Sequence, residues 1–361
     1  MSVLFFNQLL GRVRPQRKSS NHRGFTLTEL LVSIIIGGLI VTGLMSLVVE
    51  LMSTETRETA RTETQREMQM ALDFISTDIR EAVYVYDGSC SADEDVDGTG
   101  TAVSDNCAGI FNYIPAPNDA SVPILAFWKL EALPQAVRNN CSATYEIGGS
   151  LVPCISGRMY TLVVYYLSRS NPNNLWQGKA RILRYTLPRY SSSGAPVSGY
   201  ADPTNNTNFA SWPLDAEGNN QQDGAPPNNR AVVLVDFVDD RALSDIPELV
   251  DAGGASVECP AENTADARVR YVRTPSDSTL ERFGFADVRN FYACVKLPEQ
   301  FTVDSSSDDD AGSAFNQKVI LFLRGNAAGK PGITTANEGF MPAIQTQVLN
   351  RGVREKKPPT D

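Results

Sequence analysis

The sequence predicts an α+β protein in which one long N-terminal transmembrane helix packs, beyond the membrane, on an antiparallel β-sheet globular domain with disulfides. Three observations lead there. An apolar run extends from Phe25 to Met52, helix-spaced apolar residues follow it, and short β-type runs separated by turn-rich loops fill the remainder.

The apolar run, FTLTELLVSIIIGGLIVTGLMSLVVELM, holds no Lys or Arg, and Glu29 and Glu50 are its only charges. About 20 apolar residues at ~1.5 Å each cross the hydrocarbon layer, so this run is long enough to span it. Arg12, Arg14, Arg17, Lys18 and Arg23 precede it without an acid, whereas the flank beyond, TETRETARTETQRE, mixes both signs. The positive-inside rule therefore puts the N-terminus in the cytoplasm and exports the body. An ordinary cleaved signal would have a shorter apolar core followed by small residues, but here the run flows into charged, helix-forming sequence. Glu29 places a carboxylate inside the apolar run, which is expensive in lipid and marks a functional candidate that wants a cationic partner. The plainer reading of Glu29 is an acid that complements the helix dipole.

These residues, RGFTLTELLVSIIIGGLI, resemble the prepilin signal of type IV pilins and type II secretion pseudopilins. The resemblance implies that a membrane-bound prepilin peptidase removes residues 1–24 by cutting after Gly24. It also implies that the peptidase methylates Phe25, the new N-terminus, and that Glu29 is the family's carboxylate within the mature helix. In a low-dielectric helix bundle, Glu29 of one subunit can then pair with the Phe25 amine of the next and set the stagger between them. The implied partners are prepilin peptidase, other pilins or pseudopilins, the inner-membrane assembly platform and membrane lipid. The implied place is the inner membrane, single-pass, with the head periplasmic or on an extracellular filament. Ser46 stands where many major pilins carry a helix-kinking proline, while Gly37, Gly38 and Gly43 offer weak points or close helix contacts. Together with the large head, this favours a minor subunit.

Past Met52, residues Met68, Leu72, Ile75, Ile79, Ala82, Val83 and Tyr86 recur three or four apart, which extends the helix over 25–86 and gives it a stripe to bury. The runs ILAFWKL, MYTLVVYYLSR, ARILRYTL, AVVLVDFV, FYACVKL and KVILFLRG are rich in Tyr, Val, Phe and Ile and read as strands. Loops rather than helical patterns separate them, so the exported domain, residues 87–353, is expected to hold an antiparallel or meandering sheet. The stretches Ser191–Pro227 and Asp304–Gly312, and the tail 354–361, read as mobile insertions or linkers.

Six cysteines, Cys90, Cys107, Cys141, Cys154, Cys259 and Cys294, include no Cys-x-x-Cys pair, so disulfides in an oxidising compartment are favoured over zinc. Neighbour pairing would join Cys90 to Cys107, Cys141 to Cys154 and Cys259 to Cys294, among many connectivities. The formal net charge of −10, with five of the cations in the leader, leaves an acidic body that is a poor match for nucleic acid.

In DEDVDGTGTAVS, Asp93, Asp95 and Asp97 alternate before Gly98 as in a calcium loop, but Ser104 occupies the position of the bidentate Glu. Calcium binding and a solvated acidic loop both remain open there, and no other cofactor is implied. Asp308–Asp310 reads as solvated loop. GNAAGKPG has three residues between Gly325 and Gly329 and Pro331 after Lys330, so it reads as a turn and not a phosphate loop. Trp128, Trp176 and Trp212 are candidates for a glycan platform, against the plainer reading as core.

The only histidine, His22, lies in the leader, and there is no Gly-x-Ser-x-Gly elbow. An exported enzyme working through paired carboxylates is thus the weaker rival to an assembly subunit. A pilus-tip adhesin or sensor is the nearer alternative. VILFLRGNAAGKPG and PAIQTQVLNRGV also resemble pseudopilins of the cyanobacterial hormogonium polysaccharide secretion system, a resemblance that implies polysaccharide export.

Overall fold

The computed structural model describes residues 24–90, 109–140, 144–147, 150–153, 157–205, 209–246, 259–260, 270–296 and 317–350. The chain divides into two compact units, Met1–Thr54 and Glu55–Asp361. Helix α1 (Leu27–Arg80) runs from the first into the second.

Within the first unit, α1 is long and apolar enough to cross a membrane, and none of its apolar window is buried. Two of its hydroxyls bond inside the helix: Ser33 donates to the Glu29 carbonyl (2.7 Å) and Thr42 to the Gly38 carbonyl (2.8 Å). Such i−4 bonds remove the cost of carrying bare hydroxyls into lipid.

The second unit contains strands β1 (Ala82–Val85), β2 (Ser121–Ala132), β3 (Thr144–Ile147), β4 (Ser150–Pro153), β5 (Arg158–Ser168), β6 (Ala180–Pro188), β7 (Val232–Val238), β8 (Tyr271–Thr274), β9 (Phe291–Lys296), β10 (Lys318–Leu323) and β11 (Ile344–Leu349). They form a five-stranded sheet in the order β1-β2-β5-β6-β7, a four-stranded sheet β11-β10-β9-β8 and the hairpin β3-β4. Every ladder is antiparallel. All six expected strands are present; β1, β8 and β11 are additional, as is the β3-β4 hairpin.

The helix stops at Arg80, short of the expected 86, because AVYVY alternates β-branched and aromatic residues that pair better in a sheet edge than they pack in a helix. Met68, Leu72, Ile75, Ile79 and Ala82 do join one core, with both large sheets contributing to it. Val83 and Tyr86 instead belong to the opposite face of the five-stranded sheet.

Strand β5 shows how both faces are filled. Val163, Tyr165 and Leu167 face the helix-side core, while Tyr160, Leu162, Val164 and Tyr166 face the second cluster. That is why the strand reads as continuously apolar instead of alternating. The second cluster is roofed by Val197, Ala201, Phe209 and Trp212, so the described residues of the Gly- and Pro-rich stretch, 191–205 and 209–227, include a cover for the core, contrary to their reading as a mobile linker.

Trp128 and Trp212 are both 0% exposed and meet edge to face at 5.3 Å. Their indoles donate to Tyr86 Oη (2.9 Å) and to the Ala201 carbonyl (2.9 Å). Neither can offer a face to glycan; they are core, with their polar ends satisfied.

The two large sheets are stitched to each other by polar contacts. The Gln317 side chain accepts from Val85 N (2.8 Å) and donates to Val85 O (2.9 Å), imitating a ladder step. Thr274 Oγ1 donates to the Ile124 carbonyl (2.8 Å), and Val238 bridges Gly325. Gly325 lies against α1: a β-carbon there would fall 2.8 Å from Met68 Cγ and 3.3 Å from Thr64 Cγ2. Gly325→Ala is therefore expected to cost about 1–3 kcal/mol by overpacking, measured by denaturant unfolding of the folded head region in the full chain. An unchanged midpoint would contradict this close approach.

Cys259 and Cys294 form a disulfide with Cα atoms 5.5 Å apart, as neighbour pairing predicts. Cys90 is also disulfide-bonded, while Cys107, Cys141 and Cys154 lie outside the described residues.

Candidate processing and assembly site

Gly24, Phe25 and Thr26 form an extended, exposed lead-in to α1. Thr26 caps the helix by accepting from Glu29 N at 3.3 Å, and its hydroxyl also reaches Glu29 Oε2 at 3.5 Å. The Thr26 hydroxyl thus serves as an N-cap, which marks where the helix begins, and the Glu29 carboxylate stands at its first turn. Glu29 is an exposed acid there, where its charge complements the helix dipole. A β-carbon built on Gly24 meets nothing within 4 Å, and the same holds for Gly37, Gly38 and Gly43. Among the described residues, no packing contact requires glycine at these positions.

The structure brings Gly24, Phe25 and Glu29 together at one helix start. It leaves Asp93, Asp95 and Asp97 outside the described residues, as it does Asp308–Asp310 and the tail 354–361. Among the described residues no cluster of His, Cys, Asp or Glu is arranged to hold a metal ion. GNAAGKPG is a turn, with Gly329 and Gly332 at positive φ and Lys330 paired to Glu63 (3.2 Å) and Glu67 (3.1 Å) of α1.

One constellation was not foreseen from the sequence. Asp78, near the end of α1, accepts from Lys129 Nζ (3.1 Å), Tyr165 Oη (2.7 Å) and Arg184 Nε (2.7 Å). Lys129 also pairs with Glu131 at 2.9 Å. Burial opposes the ionised form of Asp78, but hydrogen bonds from Arg184 and Tyr165 and the charges of Arg184 and Lys129 outweigh it and hold the carboxyl below its ordinary pKa. This network joins the helix to β2, β5 and β6 and is a structural clasp, since one donor from each strand converges on a single carboxylate of the helix. Its signal in sequence was single charges inside apolar runs, Lys129 in FWKLE and Arg184 in ILRY.

The prokaryotic N-terminal methylation motif is matched over residues 19–45. No curated protein and no solved structure matched the chain. A methylation motif leading into a long apolar N-terminal helix is typical of type IV pilin-like proteins, and this chain has both. The motif implies processing by prepilin peptidase and assembly with other pilins, and the apolar helix fits a membrane anchor.

Proposed function

We propose that the chain is a minor pilin or pseudopilin: a subunit of a type IV pilus-like or type II secretion-like filament that supports export of polysaccharide or protein. The observation that carries this is the methylation motif running into α1 with one carboxylate, Glu29, at its first turn. The precursor is cut after Gly24 on the cytoplasmic side of the membrane. The mature subunit waits in the inner membrane with its head in the periplasm, then leaves as α1 joins a helical bundle.

The reading assigns no catalysis to the chain, whose residues after the leader include no histidine. Energy for extraction is supplied by a separate cytoplasmic ATPase. The head serves the filament as a large terminal or near-terminal cap.

Gly24→Ala tests processing. Because a β-carbon at Gly24 has open space around it, the substitution leaves α1 unchanged, and any loss of cleavage reports recognition by the peptidase. The expected result is accumulation of full-length precursor by immunoblot and intact mass; normal maturation would contradict the assigned cut. Deleting the gene and assaying exported polymer and twitching separately tests the export role. Loss of polymer with normal twitching supports it, whereas lost surface adhesion with normal export would favour an adhesin at a pilus tip.

A further inference from the structure

The connection between β5 and β6 forms a tight turn at one end of the five-stranded sheet. Asn173 and Asn174 are both left-handed, with φ of 58° and 53°. The Asn171 amide donates to the Trp176 carbonyl (2.8 Å) and accepts from Trp176 N (2.9 Å), closing the turn on itself. The Arg181 guanidinium supports the Trp176 ring at 5.2 Å. Leu175 is left 72% exposed, more than any other large apolar residue described in the second unit. An ordered turn that holds Leu and Trp side by side toward solvent has the amphipathic chemistry of the lipid interface, where an aromatic ring and an aliphatic chain sit at headgroup depth. Lys179, exposed beside it, is the residue type that reaches lipid phosphate from such a site.

Contacts within the second unit show which end of the head carries this tip. On β6, Arg184 meets Asp78 of α1. Four residues nearer the tip, Ala180 pairs with Val238, which bridges Gly325, and Gly325 lies against Met68 and Thr64. Nearer still, Gly329 lies against the Gln177 carbonyl, and Gly332 of the same turn lies against Thr56 and Arg57. The hairpin thus descends along α1 from residue 78 to about residue 57. Arg57 stands a little over one helical turn past Met52, the last residue of the apolar run.

We propose that the Leu175–Trp176 tip docks on the outer surface of the bilayer while the subunit is membrane-resident, a second contact that orients the head. This rests on the reading of α1 as a membrane anchor. Tryptophan emission tests it, because Trp128 and Trp212 are fully buried and Trp176 is the partly exposed one.

The full chain is reconstituted into phospholipid vesicles carrying a headgroup nitroxide in both leaflets. Part of the emission should be quenched, that part should vanish in Trp176→Phe, and Leu175→Asp should weaken it. Quenching that is the same with and without Trp176 would overturn the proposal. Aqueous iodide then says how: access to Trp176 means the tip faces water, and no access means a protein surface covers it. An alkaline carbonate wash separates the two readings. A chain that washes off sinks the anchor and the tip together, whereas a retained chain without Trp176-dependent quenching sinks the tip alone.

Discussion

Glu29→Ala is expected to yield a chain that is cut after Gly24 yet stays out of the filament. The described contacts of the Glu29 carboxylate are local, to the Thr26 hydroxyl at the start of the same helix, so the substitution leaves the head intact. In the proposed assembly the carboxylate meets the Phe25 amine of a neighbour inside a helix bundle. Removing one partner of a buried pair costs about 3–5 kcal/mol, because the other charge is left without compensation. That is roughly a hundredfold or more in the association equilibrium of the subunit. Glu29→Gln keeps the shape and the cap but removes the charge, and should fail likewise. The check is the share of mature protein in sheared filaments against membranes; normal incorporation of either variant would defeat the pairing.

Asp78→Ala is expected to destabilise the head strongly. It leaves Lys129 and Arg184 buried without the carboxylate that both contact. The cost is about 3–5 kcal/mol by the same reasoning, a large share of the stability of a domain. The pH dependence follows in sign. The folded-state pKa of Asp78 is depressed, so its contribution is fully present above the unfolded value of about 3.9 and is lost as pH falls through the folded value. For Lys129 the folded value is raised: burial opposes this, but the hydrogen bond to Glu131 and the charge of Asp78 prevail. Its contribution is therefore present below about pH 10 and is lost as pH rises through the folded value. Urea melts at pH 3 to 7 should show the gap between wild type and Asp78→Asn narrowing as the medium is acidified; a constant gap would contradict the clasp.

The sequence made the methylation motif, the long apolar helix and the sheet legible because each rests on a local pattern. An apolar run between unlike flanks needs no tertiary knowledge, and runs such as MYTLVVYYLS are strands wherever they pack. Boundaries were harder. Ala82, Val83 and Tyr86 continue the three-and-four spacing of α1 by coincidence, and only pairing of Tyr84 and Val85 with Trp128 and Phe127 turns them into a strand. Strand β11, IQTQVL, carries two glutamines and a threonine on an edge, so its apolar content fell below notice. Loop composition misled most over residues 191–227, since Gly and Pro mark turns but do not reveal that Phe209 and Trp212 between them close a core. The Asp78 clasp was hidden for another reason: its other members lie 51 to 106 residues from Asp78, and only the fold brings them to one point.

The starting residue of the protein isolated from its own cells tests the account most directly. Intact mass and Edman sequencing should give a chain that begins at Phe25 with a methylated amine. A chain beginning at Met1, or at any residue beyond the apolar run, would contradict it.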